Sequence, residues 1–311
     1  MVQDQTIYLH IGRGKTGTTA LRRHFAKHTE TLARHGICYP MAAGAAQGYG
    51  HDTFGKAFIT ERPFYMKPPH NAKQELQALA EEIRATDLPK ILLLSEQLEM
   101  ADPVRVRQFL DSLGKRFEYR IVFFLRSQDE LVESEFNQLV RFSSKAGALA
   151  EYANTLFNGD FHATATAWAD VFGQGALSCP VYDARSPRVL AQLMQALGAE
   201  AALADLPELP VSNRSVSFQA LTAIRLLYHI DLADRAALHR QILDGPVAAH
   251  LPALYFDARD AAAFRARYGA SNRALARFMG HETEDLGGRR YIDTERDEIR
   301  RAILDLRLDR F

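Results

Sequence analysis

The chain has 311 residues, in which 38 basic residues balance 38 acidic ones. That length holds one large α/β domain, or a domain with an added subdomain. The zero net charge excludes a global electrostatic pull toward nucleic acid or an anionic membrane, so any attraction for an anionic ligand must be local. No apolar run approaches the ~20 residues of a membrane span. The polar first residues, MVQDQT, carry no apolar signal core, and a cytoplasmic protein is expected. Cys38 and Cys179 lack metal-ligand spacing and are expected as buried free thiols.

Residues 7–11 read as a short buried strand, apolar and β-branched, which Gly12 and Gly14 break. Lys15, Thr16, Gly17, Thr18 and Thr19 follow, and from Ala20 a helical pattern runs through Leu21, Phe25 and Leu32 to about Arg34. A strand, a Gly-rich turn and a helix start make a cradle for an anion, because the first helical turn has free N–H groups and a partial positive charge. Lys15 adds a full charge and the Thr hydroxyls add donors, on a turn where glycine lets the backbone come close. A nucleoside-triphosphate loop needs Gly-x-x-x-x-Gly-Lys-Ser/Thr. Gly14-Lys15-Thr16 matches its end, but Leu9 stands where its first glycine belongs. The plain alternative is a βα turn without a ligand, although a lysine with three hydroxyls is more than a turn requires.

Residues 37–39 read as a second strand ended by Pro40. Residues 41–70, with GYGHDTF and a Pro-rich PFYMKPPH, lack periodicity and read as a site loop or lid. Residues 71–85 form an amphipathic helix on Leu76, Leu79, Ala80 and Ile83. Residues 90–95 are a continuous apolar run, as expected of a central parallel strand, ending in Ser95-Glu96. A helix at 104–113 leads to a second such strand at 119–125, which ends in Arg126. Residues 128–142 read as a helix, as do 163–172 and 187–197, with a strand at 176–182 between the last two.

This alternation predicts an α/β fold: a mostly parallel central sheet with helices on both faces and right-handed crossovers. Ligands then sit at the carboxyl ends of the strands. Lys15, Ser95-Glu96 and Arg126 each follow a strand and should converge on one crevice. Beyond about residue 205 the strand signals stop, and residues 216–243, 260–279 and 294–308 read as helices. The expected division is a core of residues 1–215 and a helical C-terminal extension of residues 216–311 packed on it.

A second feature lies at the end of the strand at 119–125. Arg126 and Ser134 stand eight residues apart across a strand–helix junction, which places Ser134 about 10–12 Å along the axis from the helix start. A guanidinium there can grip a phosphate in a fork while a hydroxyl donates from the side. With KTGTT after the first strand, this pair resembles the PAPS-dependent sulfotransferase family. The resemblance runs through roughly residues 5–215. Trp168, Phe172-Gly173, the strand ending in Tyr182 and Asn213-Arg214-Ser215 look like its bacterial, carbohydrate-type branch. It does not extend to residues 216–311.

The resemblance implies PAPS as sulfuryl donor, no metal, no nucleic acid, and a hydroxyl-bearing, carbohydrate-like acceptor. It implies that Lys15, beside Gly14, holds the bridging oxygen and stabilises charge on the leaving phosphate. Thr16, Gly17, Thr18 and Thr19 would bind the 5′-phosphate, and Arg126 and Ser134 the 3′-phosphate. Relatives place a His or Glu base at the end of the third strand, where this chain has Glu96. His51 is the rival base, and Glu99 and Asp52 are further alternatives. Departures are Ala20, where the cytosolic small-molecule branch has Trp, and the missing C-terminal Arg-Lys-Gly segment. Gly287-Gly288-Arg289-Arg290 is a poor substitute and reads as a turn, so the adenine-binding residues stay unassigned. Competing readings are a P-loop kinase using ATP, which lacks its first glycine and an evident Mg²⁺-binding Asp, and a non-catalytic nucleotide-binding or scaffold protein.

Overall fold

Five strands hydrogen-bond in the order β2-β3-β1-β4-β5, every pairing parallel: β1 Gln5–Gly12, β2 Ile37–Cys38, β3 Lys90–Leu94, β4 Phe117–Phe123 and β5 Leu177–Ser178. These come from a computed structural model of the chain, which describes residues 5–62, 66–142, 149–183, 188–209, 216, 218–228, 234–245, 256 and 258–280. The apolar runs lie in the middle of the sheet, as strands covered on both faces must. Ile7 pairs with Ile91 and Leu9 with Leu93, and β4 lies along the other side of β1.

Side-chain alternation then sorts the core. Tyr8, Leu92, Leu94, Val122 and Phe124 face α1 (Thr18–Lys27), α2 (Thr29–Arg34) and α9 (Val189–Ala196), packing on Leu21, Phe25, Leu32, Val189 and Leu193. Phe123 and Tyr119 point the other way, onto Phe161 and Phe172 of α8 (Phe161–Phe172). Each fully buried Leu or Phe of this kind contributes roughly 1.5–3 kcal/mol.

The remaining α-helices among the described residues are α3 (Asp52–Ala57), α4 (Ala72–Ala85), α5 (Pro103–Asp111), α6 (Gln128–Phe142), α7 (Leu149–Thr155), α10 (Phe218–Leu227), α11 (Arg235–Asp244), α12 (Ala258–Ala266) and α13 (Gly269–Met279). Several differ from the expected spans. The first expected helix breaks at His28, whose N–H bonds the Phe25 carbonyl instead of continuing the helical ladder. The stretch expected as helix 260–279 is two helices, and the loop expected over 41–70 contains α3. The helix expected over 294–308 lies outside the described residues.

The chain divides into two compact units that interleave along the sequence: Met1–Arg126, Phe161–Ser212 and Ala274–Glu284 form one; Ser127–Asp160, Asn213–Arg273 and Asp285–Phe311 the other. The first holds the whole sheet. The second is helical among its described residues. Its core joins Val132, Phe136 and Val140 of α6 to Leu149 of α7, to Ala220, Leu221 and Ile224 of α10, and to Phe264 of α12.

The strand order positions a site in the first unit. The chain leaves β1 toward β2 and leaves β4 toward β5, so the connections diverge where β1 and β4 lie side by side. A crevice opens at the carboxyl ends of such a strand pair.

Candidate active site

The turn after β1 is built on one carbonyl. A register shift between His10 and Gly12 precedes the last β1–β4 pair, Gly12 with Phe123. The Arg13 N–H then donates to the Phe124 carbonyl at 3.2 Å, tying the turn to the end of β4. The Arg13 carbonyl accepts from Thr16 Oγ1 at 2.6 Å and from Thr18 Oγ1 at 3.3 Å. These two hydroxyl protons therefore point into the turn, so its outward donors are the main-chain N–H groups of the first helical turn. Gly17, with φ of +83°, caps α1 in the left-handed region, and a Cβ there would stand 3.1 Å from Val189 Cγ1. Glycine alone meets both conditions cheaply.

Arg126 braces this turn from β4. Its Nη1 donates to the Lys15 carbonyl at 2.6 Å, and its guanidinium lies 5.4 Å from the centre of the Tyr182 ring. Tyr182 is held in place by its own N–H, which donates to the Leu125 carbonyl at 2.7 Å. The structure thus brings Lys15 and Arg126 together, one after each of two adjacent strands. Ser134, expected to act with Arg126, lies half-buried on α6 in the second unit, whereas Arg126 closes the first segment of the first. Asn213-Arg214-Ser215 and Gly287-Gly288-Arg289-Arg290 lie outside the described residues.

The carboxyl end of β3 brings acidic groups to the same turn. The Ser95 N–H donates to the His10 carbonyl at 3.0 Å, and Ser95 Oγ accepts from the Gln97 N–H at 3.1 Å, starting a 3-10 turn at Glu96–Met100. A Cβ on Gly14 would stand 3.6 Å from Glu96 Oε2, so this carboxylate lies directly beside the residue preceding Lys15. Glu99 pairs with the Arg13 guanidinium, which also lies 5.6 Å from the centre of the Phe161 ring.

His51 occupies a different role from the one expected. It is fully buried; its Nδ1 accepts from the Leu94 N–H at 3.0 Å, and its Nε2 lies 2.9 Å from the Pro40 carbonyl. Those partners assign the proton to Nε2. Both ring nitrogens are engaged with main chain, and burial lowers its pKa to about 4. The histidine expected as the rival base is thus a neutral bracket between residue 40 and β3.

Three buried side chains were missed in the sequence. Arg13 and Arg22 are each 6% exposed, and His10 is fully buried against Phe124, with burial the main cause that lowers its pKa to about 4 and Arg22 adding to it. Arg22 carried only a weak signal: it stands three residues after Thr19, on the same face of α1.

The fold is α/β, with a parallel sheet whose central strand runs through a glycine turn into a helix start, a lysine in that turn and an arginine behind it; helix starts of this kind suit anions in general. No family model matches the chain, and no curated protein matches it. Among solved structures, a crystal structure of a sulfotransferase from Alicyclobacillus acidocaldarius is 17% identical and covers 75% of this chain and 99% of that chain, with a TM-score of 0.45. Among the described residues, no helix is long and apolar enough to cross a membrane.

Proposed function

We propose that the chain is a sulfotransferase that moves a sulfuryl group from PAPS to a hydroxyl of a carbohydrate-like acceptor in the cytoplasm. One observation carries the reading: a lysine-bearing turn, braced at Lys15 by Arg126, has the Glu96 carboxylate beside it at Gly14. Cation, backbone donors and a candidate base then share one strand-end crevice.

The residues present suit an anionic donor of this kind. Gly14 and Gly17 put no side chain of their own on the turn, and the first turn of α1 holds no acidic residue. PAPS, when bound, supplies a sulfuryl group on a phosphate leaving group. In this reading the N–H groups of Gly17, Thr18 and Thr19 hold the 5′-phosphate, while Lys15 stabilises the charge that grows on the leaving oxygen. Such electrostatic stabilisation is the largest part of transfers of this type. Arg126 and Ser134 hold the 3′-phosphate. Glu96 accepts the proton of the acceptor hydroxyl, because His51 has both ring nitrogens bound to main chain. Residues 41–70 shape the acceptor site.

The test is calorimetric binding of adenosine 3′,5′-bisphosphate (PAP), with 5′-AMP and ATP as controls. We expect clear preference for PAP, which Arg126→Ala weakens by roughly 1.5–3 kcal/mol. Because Arg126 also holds the Lys15 carbonyl, the 5′-AMP control is decisive: loss confined to PAP marks a 3′-phosphate contact. An equal loss for both ligands assigns Arg126 to the turn alone. No preference for PAP in the unmodified protein ends the sulfotransferase reading.

A further inference from the structure

Arg22 has no part in the function proposed above, yet three elements of the site meet on it. It lies on α1, three residues after Thr19. Its Nη1 donates to Asp52 Oδ2 at 2.9 Å, at the first residue of α3, and to the Tyr49 carbonyl at 3.1 Å, in the segment leading into that helix. Its Nη2 donates to Thr19 Oγ1 at 3.3 Å and stands 3.9 Å from Glu96 Oε1. The second oxygen of Asp52 accepts from Ser95 Oγ at 2.9 Å, one residue before Glu96.

The stem is enclosed as well. A Cβ on Gly50 would stand 2.5 Å from Arg22 Cδ, so main chain lies directly on the side chain. His51 pins that same segment to the end of β3 through the Leu94 N–H. Arg22 therefore cannot swing without breaking bonds to α3 and to the residues before it. A strut for α3 needs only the two Nη1 bonds. The Nη2 edge faces the other way, toward Thr19 and Glu96. Only a planar fork reaches both sides at once, which lysine cannot do.

We infer that Arg22 is a positioning residue for Glu96. Braced by Asp52 and Tyr49, its guanidinium fixes the carboxylate against the turn at Gly14, where it meets the acceptor hydroxyl. The inference rests on the reading of Glu96 as base. No bond forms or breaks at Arg22. Glu96 takes the hydroxyl proton as the acceptor oxygen bonds to sulfur and the bond from sulfur to the leaving phosphate oxygen breaks.

The experiment compares Arg22→Gln, Arg22→Lys, Glu96→Gln and the Arg22→Gln/Glu96→Gln double variant with the unmodified protein. PAP affinity is measured by calorimetry, and turnover as PAP released from PAPS with water as acceptor. We expect Arg22→Gln to keep PAP affinity within about threefold and to lose turnover by about tenfold or more. The double variant should be no slower than Glu96→Gln alone, since coupled residues are non-additive. Arg22→Lys, which keeps charge and stem, should fold and fall between Arg22→Gln and the unmodified protein.

Three results overturn the inference: losses that multiply in the double variant, PAP affinity that falls in step with turnover, or Arg22→Gln and Arg22→Lys both as fast as the unmodified protein. Absence of PAP binding by the unmodified protein instead ends the sulfotransferase reading. PAP binding with full turnover in Glu96→Gln, or no PAP release by the unmodified protein, ends the assignment of Glu96 as base and the role of Arg22 with it.

Discussion

Lys15 has a φ of 65°, in the left-handed region that lysine rarely adopts, and its carbonyl is held by Arg126. A backbone so placed costs of order 1–3 kcal/mol and persists because its surroundings hold it there. Methionine has a similar stem and the same backbone cost, so Lys15→Met should change stability by no more than about 1 kcal/mol. In the proposed sulfotransferase reading, turnover of PAPS should fall by about 10²–10³, the usual effect of removing one group that stabilises transition-state charge. Urea melts and PAP release measure the two effects separately, and unchanged turnover would remove Lys15 from the mechanism. Lys15 and Arg126 were legible in the sequence because each stands three residues after an apolar strand. Arg22 was not, since its partners Asp52, Tyr49 and Glu96 are distant in the chain and meet it only once the sheet has formed.

At the scale of elements, the strands were the easiest to read. Continuous apolar runs at β1, β3 and β4 are what double-sided burial demands. The segment from Pro40 to Ala57 was the hardest. It has no periodicity, because its order comes from side chains bonded to distant main chain: His51 to Leu94, Met41 N–H to Glu82 and Ala43 N–H to Glu75. Gly50 shows how tightly it is packed. With φ of +59°, it would place a Cβ 2.6 Å from the Leu94 carbonyl oxygen as well as against Arg22. The β3 main chain cannot give way as a flexible side chain does. Gly50→Ala therefore combines a left-handed backbone penalty with overpacking, and should lower stability by roughly 2–4 kcal/mol. Gly114, also left-handed but with open space around it, provides the control: Gly114→Ala should cost only about 1–2 kcal/mol. Equal urea midpoints for the two variants would show that residues 49–52 do not lie against β3.

For the whole molecule, the buried histidines set the response to acid. His10 and His51 are both fully buried, and burial lowers each pKa from 6.5 to about 4. Above pH 6.5 both are neutral, folded or unfolded, and their contribution to stability is fully present. As pH falls below 6.5 the unfolded chain takes up protons that the folded chain refuses, so stability is lost until about pH 4, where the folded rings also titrate. A shift of this size corresponds to on the order of 3 kcal/mol for each ring. Together they rival the ~5–15 kcal/mol by which a domain is stable. The two sites separate by substitution. Neither ring nitrogen of His10 makes a hydrogen bond of ordinary geometry, so His10→Leu should fold well at pH 7 and lose about 1.4 kcal/mol per pH unit of the slope between pH 6 and 5. His51→Leu leaves the Leu94 N–H and the Pro40 carbonyl without their partner, and should already be about 2–4 kcal/mol less stable at pH 7. Urea unfolding at pH 8, 7, 6 and 5 measures both. An unchanged slope in His10→Leu would mean that the ring takes up its proton in the folded protein and does not oppose folding in acid.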